Sequence, residues 1–260
     1  MPENVGAQAP DAPDGLPPVA ERVEALLGEL AAKGSETDRA GMARYGIRVD
    51  DAFGVSVWEL RRMAKPLRRD HDLALALWAT GNHEARLLAT MVDDPALVDE
   101  AQMDAWVLDL DSWDVCDQLT SNLFDKTPYA YDKAHEWAAR GEEFVRRAAF
   151  ALMAALAWHD QQAPDERILA FLPLIEAHAG DPRNFVKKAV NWALRNIGKR
   201  NGALNAAAVA CAERIRAAAN ARAGGERGGD PGARSARWIA TDALRELTSE
   251  KVRARLAARG

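Results

Sequence analysis

The chain has 260 residues, 48% of them hydrophobic, two cysteines and a formal net charge of −5. That length supports a large core, and no run approaches the roughly twenty apolar residues that span a bilayer. Two cysteines exclude a dense disulfide framework and make a reducing cytoplasm the default, while the acidic total argues against nucleic acid unless positive charge is gathered on one face.

Residues 1–18 have no basic segment followed by an apolar stretch, so they read as a disordered tail rather than a signal peptide. A helix is predicted over Val19–Lys33, with Val23, Leu26, Leu27 and Leu30 on one side. "SETDRAGMARYGI", from Ser35, reads as polar and turn-rich around its two glycines. Ser56 then caps a helix through "VWELRRMAKPLRR", and further helices follow at about 70–80, 83–92 and 99–108, punctuated by Gly81 and Pro95. No segment alternates apolar and polar residues for long enough to propose a sheet.

A pattern recurs down the chain. "HEARLLATMV" from His83, "VRRAAFALMAALA" from Val145, "VKKAVNWALRNIG" from Val186 and "ARWIATDALREL" from Ala236 each start polar or basic and continue with small and apolar residues. Their spacing, roughly 40–50 residues over the last three, is that of stacked helix pairs. The expected fold is therefore all-α: a HEAT-like helical-repeat solenoid over 19–260, one domain with a concave, locally basic face. "AGGERGGDPGARS", 223–235, reads as a flexible glycine-rich loop before the last helix.

The candidate chemistry starts in "LDSWDVCDQ", Leu110–Gln118. Asp111 or Ser112 suits an N-cap, and Asp114 suits the positive end of the helix dipole. Asp117 has no such role. It lies one turn beyond Trp113, so indole and carboxylate share a face. Cys116 reads as a small buried hydrophobe rather than a nucleophile. The five histidines lack metal-ligand spacing, so neither zinc nor another cofactor is expected. In "NFVKKAVNWALRNIGKR", Phe185, Ala189, Ala193 and Ile197 form an apolar stripe. Lys188, Trp192, Arg195 and Lys199 lie off it, a basic face around an indole that suits a polyanion. Arg146 and Arg147 open another helix, where cations oppose the dipole; either Glu142 and Glu143 satisfy them or an external anion does.

Together these segments resemble the AlkD-like DNA alkylation repair glycosylases, built of HEAT-like repeats. "SWDVCD" is similar to that family's Trp-Asp-x-x-Asp helix, "FVRRAAF" to the helix with its arginine, "FVKKAVNWALRNIGK" to the helix with its second tryptophan, and "MARY" to the segment with its tyrosine. The resemblance implies a monofunctional glycosylase that excises cationic N3- and N7-alkylated purines from duplex DNA. It implies Asp117 as the catalytic carboxylate, Trp113 and Trp192 as cleft walls, Arg147 beside the nucleotide backbone and Tyr45 as a further DNA contact; the basic face itself points to Lys188, Arg195 and Lys199 as contacts to the phosphate backbone. An ordinary carboxylate is ionised at neutral pH, so Asp117 would need no tuning. The competing expectation is a HEAT-like protein that binds damaged or branched DNA without cutting it. Either would work as a cytoplasmic monomer, without metal or membrane.

Overall fold

The computed structural model describes residues 16–223 and 230–258, and every regular element in them is helical. The described residues fall into two compact units, divided between Asp94 and Pro95. No described helix is long and apolar enough to cross a membrane.

The first unit holds α1 (Val19–Lys33), α2 (Glu36–Arg44), α3 (Val57–Ala64), α4 (His71–Ala79) and α5 (His83–Val92). The helix starts follow the capping chemistry: Ser56, Asp70 and Asn82 each accept a backbone N–H from three residues on. The segment from Ser35 corrects the turn-rich reading. Ser35 accepts the N–H of Asp38, and Glu36 and Asp38 occupy the first turn of α2. Cap and dipole outweigh the helix cost of Gly41. Before α3 the chain is held by Glu84, fully buried, whose carboxylate accepts the backbone N–H groups of Phe53, Gly54 and Val55 at 2.9, 2.7 and 3.1 Å. Gly54 is required there: its φ is +82°, and a Cβ would sit 2.3 Å from the Ser35 carbonyl oxygen.

The second unit holds α6 (Glu100–Leu108), α7 (Trp113–Asn122), α8 (Ala130–Ala138), α9 (Glu143–His159), α10 (Asp165–Leu169), α11 (Leu172–His178), α12 (Asn184–Gly198), α13 (Gly202–Ala223), α14 (Pro231–Leu247) and α15 (Glu250–Ala257). α8 packs on α9, α11 on α12 and α13 on α14, and α7, α9, α12 and α14 pack successively side by side. This is the expected helix-pair stacking. α9 is its centre: every residue from Ala148 to Ala157 is buried, and the alanines among them allow close approach on both flanks. The glycine-rich loop is shorter than read from composition. Residues 224–229 lie outside the described residues, but Pro231–Ser235 is the first turn of α14, with Pro231 at a position where its missing N–H costs nothing and the Asp230 carboxylate accepting from Gly232.

Candidate functional site on α7, α9 and α12

α7 starts at Trp113 with Ser112 as its N-cap residue, and the Ser112 hydroxyl donates to Asp114. With those two accounted for by the helix start, the one-turn spacing of Trp113 and Asp117 aims both at the start of α9. There Arg147 Nη2 donates to both Asp117 oxygens, at 2.7 and 2.8 Å, and Nη1 donates to the Phe185 carbonyl at 2.7 Å. One guanidinium thus ties α7 to α9 and to the first turn of α12. Phe144 and Phe185 stack beside it at a centroid distance of 5.5 Å. The Arg147 guanidinium carbon lies 6.0 Å from the centre of the Trp113 ring, so indole, carboxylate and guanidinium form one cluster.

The electrostatics are those of a charge held under cover. The Asp117 side chain is 19% exposed and that of Arg147 only 5%. Burial raises the Asp117 pKa to about 6, against the pull of Arg147 in the other direction. The carboxylate is therefore tuned, contrary to the expectation of an ordinary value. Neither Glu142 nor Glu143 satisfies the two arginines, nor is an external anion needed. Arg146 donates to Asp181 at 3.0 Å, and Arg147 turns inward to Asp117. An arginine so buried, with these donors engaged, is not presented to a phosphate. Cys116, the residue before Asp117, is fully buried, and burial drives its thiol far above the usual range, so it supplies no thiolate.

Trp192, on α12, is half-buried and lines a groove of about 350 Å³ with Ser121, Trp158, His159, Asn196 and Lys199. Ser121 lies one turn beyond Asp117 on α7, so the groove continues along the helix that carries the carboxylate. The periodicity of α9 signalled neither Trp158 nor His159. Trp158 is 45% exposed, with the Arg255 guanidinium 5.1 Å from its ring centre. His159 Nδ1 bonds the carboxylate of Asp125, whose pKa is raised by burial. Scattered in sequence, the histidine and its partner meet only through folding.

The basic face of α12 needs correction. Of its apolar stripe Ala189, Ala193 and Ile197 are fully buried, with Val186, Val190 and Leu194 beside them, but Phe185, at the start of the helix, is only half-buried. Its cations are matched by acids of α14. Arg195 pairs with Glu246 and, at 3.2 Å, with Asp242; Lys199 pairs with Glu246 at 3.2 Å. Burial pushes the Glu246 pKa up, but Arg195 and Lys199 prevail and hold it below the ordinary value. The face is an ion-pair network rather than a surplus of positive charge; Lys188 remains exposed. Tyr45, at the C-terminal end of α2 in the first unit, is 75% exposed.

A family model for the DNA alkylation repair enzyme matches residues 26–247. The chain belongs to the DNA alkylation repair enzyme family. Among solved structures, this family member is similar to one described as a new family of proteins related to the HEAT-like repeat DNA glycosylases with affinity for branched DNA structures. The two share 21% identity over 90% of this chain and 95% of that one, with a TM-score of 0.72. The match supports the HEAT-like fold. A designed armadillo repeat protein bound to a (KR)4 peptide is a weaker match, at 13% identity over 76% of this chain and 89% of that one; its TM-score of 0.33 is too low to carry an argument. A search of curated proteins found no match.

Proposed function

We propose that this family member is a monofunctional DNA glycosylase that releases cationic N3- and N7-alkylated purines from duplex DNA. The observation that carries the reading is the Asp117 carboxylate, kept under cover by Arg147 and sharing a helix face with Trp113. An alkylated purine that already bears positive charge leaves as the neutral base, so no acid is required. As the C1′–N bond breaks, its electron pair goes to the base and positive charge develops on the deoxyribose. A carboxylate in a poorly hydrated site stabilises that charge more than one in bulk water. Water then adds to C1′, with Asp117 orienting it and taking up its proton, giving an abasic sugar and free base.

Arg147 acts through Asp117 as a positioning residue. It offsets the burial that would otherwise protonate the carboxyl. Trp113 and Trp192 offer indole faces to the sugar and its developing charge. Lys188 and Tyr45, both exposed, suit contacts to the DNA backbone, which fix register without reading sequence. Arg195 and Lys199 can join them only in competition with Asp242 and Glu246.

A second reading, binding of branched DNA without base excision, is favoured by the description of the similar solved structure. The two readings separate in one experiment. Release of free base from duplexes carrying 7-methylguanine or 3-methyladenine is measured for wild type and Asp117→Asn, alongside DNA affinity. Release that collapses in the variant while binding persists supports the glycosylase. Binding by both with release by neither refutes it for these lesions and leaves the binder.

A further inference from the structure

α3 and the turn that follows it carry exposed cations around an indole. From Val57 to Arg69 the sequence has five cations, Arg61, Arg62, Lys65, Arg68 and Arg69, against one acid, Glu59, in a chain of net charge −5. Leu60, Met63 and Ala64 bury the opposite side of the helix, which packs on α5. Trp58, Arg61, Arg62 and Lys65 follow at i, i+3, i+4 and i+7, so they share one face, and all four are exposed. Trp58 is 86% exposed, the most of any large hydrophobic side chain among the described residues. A solvated charged helix has no use for an indole standing in water at that exposure. The platform is fixed from beneath by the Glu84 carboxylate, which holds the backbone leading into α3. At least two of these cations meet acids: Glu59 accepts from Arg62 at 3.0 and 2.6 Å and also pairs with Lys33 at 2.8 Å, and Arg69 pairs with Asp94 at 3.4 Å.

We propose that this face of α3 is a second nucleic-acid contact surface, in which Arg61 and Lys65 engage successive phosphates and Trp58 stacks on an unpaired base of the same strand. Cations spaced along one helix face suit the repeating charge of a phosphate backbone. An indole among them suits the flat face of any base, independent of sequence. The inference rests on DNA being the ligand of this chain, but not on base excision.

The test uses the full chain and two DNA probes, a blunt, fully paired duplex and the same duplex with a short single-stranded overhang. Arg61→Gln/Lys65→Gln is expected to reduce the slope of log affinity against log salt by about 2 on both probes, and to weaken binding at least about tenfold at low salt. Trp58→Ala is expected to lose about tenfold on the overhang probe and little on the blunt duplex. All three side chains are exposed, so circular dichroism and the melting temperature should match wild type. Wild-type-like affinity and salt slope in the double variant would overturn the surface. Equal losses on the two probes for Trp58→Ala would overturn the stacking contact. Failure of base release would leave these outcomes readable, because none of them depends on chemistry. A wild type without DNA affinity would remove both this surface and the proposed function.

Discussion

Replacing Arg147 by methionine removes the counter-cation of Asp117 while keeping much of the side-chain bulk. In the wild type the Asp117 pKa is about 6, so at pH 7 the carboxylate outnumbers the acid about ten to one, and protonating it costs about 1.4 kcal/mol. Arg147 opposes the dominant effect, burial; without it the pKa rises further. Between pH 6 and the new pKa, the folded variant keeps a proton that the folded wild type has released, whereas both unfolded chains have lost theirs near the ordinary carboxylate value. Stability therefore falls with pH in the variant over a window where the wild type is flat. The gap between them should widen by about 1.4 kcal/mol per pH unit above pH 6. Below that pH both folds hold the proton, and the remaining difference is the lost Phe185 carbonyl bond and packing. The assays are carboxyl 13C NMR of Asp117 across pH 5–9 and melting temperature on the same samples. If the proposed chemistry holds, the acid limb of base release should lie near pH 6 in wild type and move up in the variant. A titration that stays near 6 in Arg147→Met, or a stability gap independent of pH, would refute the account of Arg147 as the group that keeps Asp117 charged.

Other consequences are simpler to score. Asp242→Asn/Glu246→Gln releases Arg195 and Lys199 and should steepen the salt dependence of DNA binding by about 1–2 on a log–log plot. The pairs are partly exposed, so the stability change should stay within about 1 kcal/mol by denaturant titration. Trp137 is fully buried against Phe124, at a ring-centre distance of 6.0 Å, and its indole N–H donates to Asp104 at 2.9 Å. Trp137→Ala should cost about 3–5 kcal/mol in chemical denaturation. Gly198→Ala would put a Cβ 2.6 Å from Leu247 and 3.0 Å from Ala208, where α12 meets α14 and α13. Leu247 is itself buried and cannot swing clear, so a loss of about 1–3 kcal/mol is expected, seen as a lower melting temperature.

What the sequence determined was local. Caps, breaks and the small-and-apolar period marked α1 and α5 at their observed ends and α4 and α6 to within a residue or so, because these signals lie within a few residues of one another; α3 starts where its serine cap put it but stops at Ala64, short of Arg69, because Pro66 ends the helix. The i, i+4 spacing put Trp113 and Asp117 on one face for the same reason. The misread segment from Ser35 carried its own signal, a serine cap followed by first-turn acids, outvoted by two glycines. What only the tertiary structure decided was which charge meets which. Asp117 finds its partner 30 residues away and Arg195 finds Glu246 51 residues away. A cationic helix face looks alike in sequence whether or not the next repeat covers it with acids, as α14 does for α12. Burial is likewise a property of the packed helices: it raises the Asp117 pKa and turns Arg147 inward, and periodicity within one helix carries no information about what the neighbouring helices bring against it.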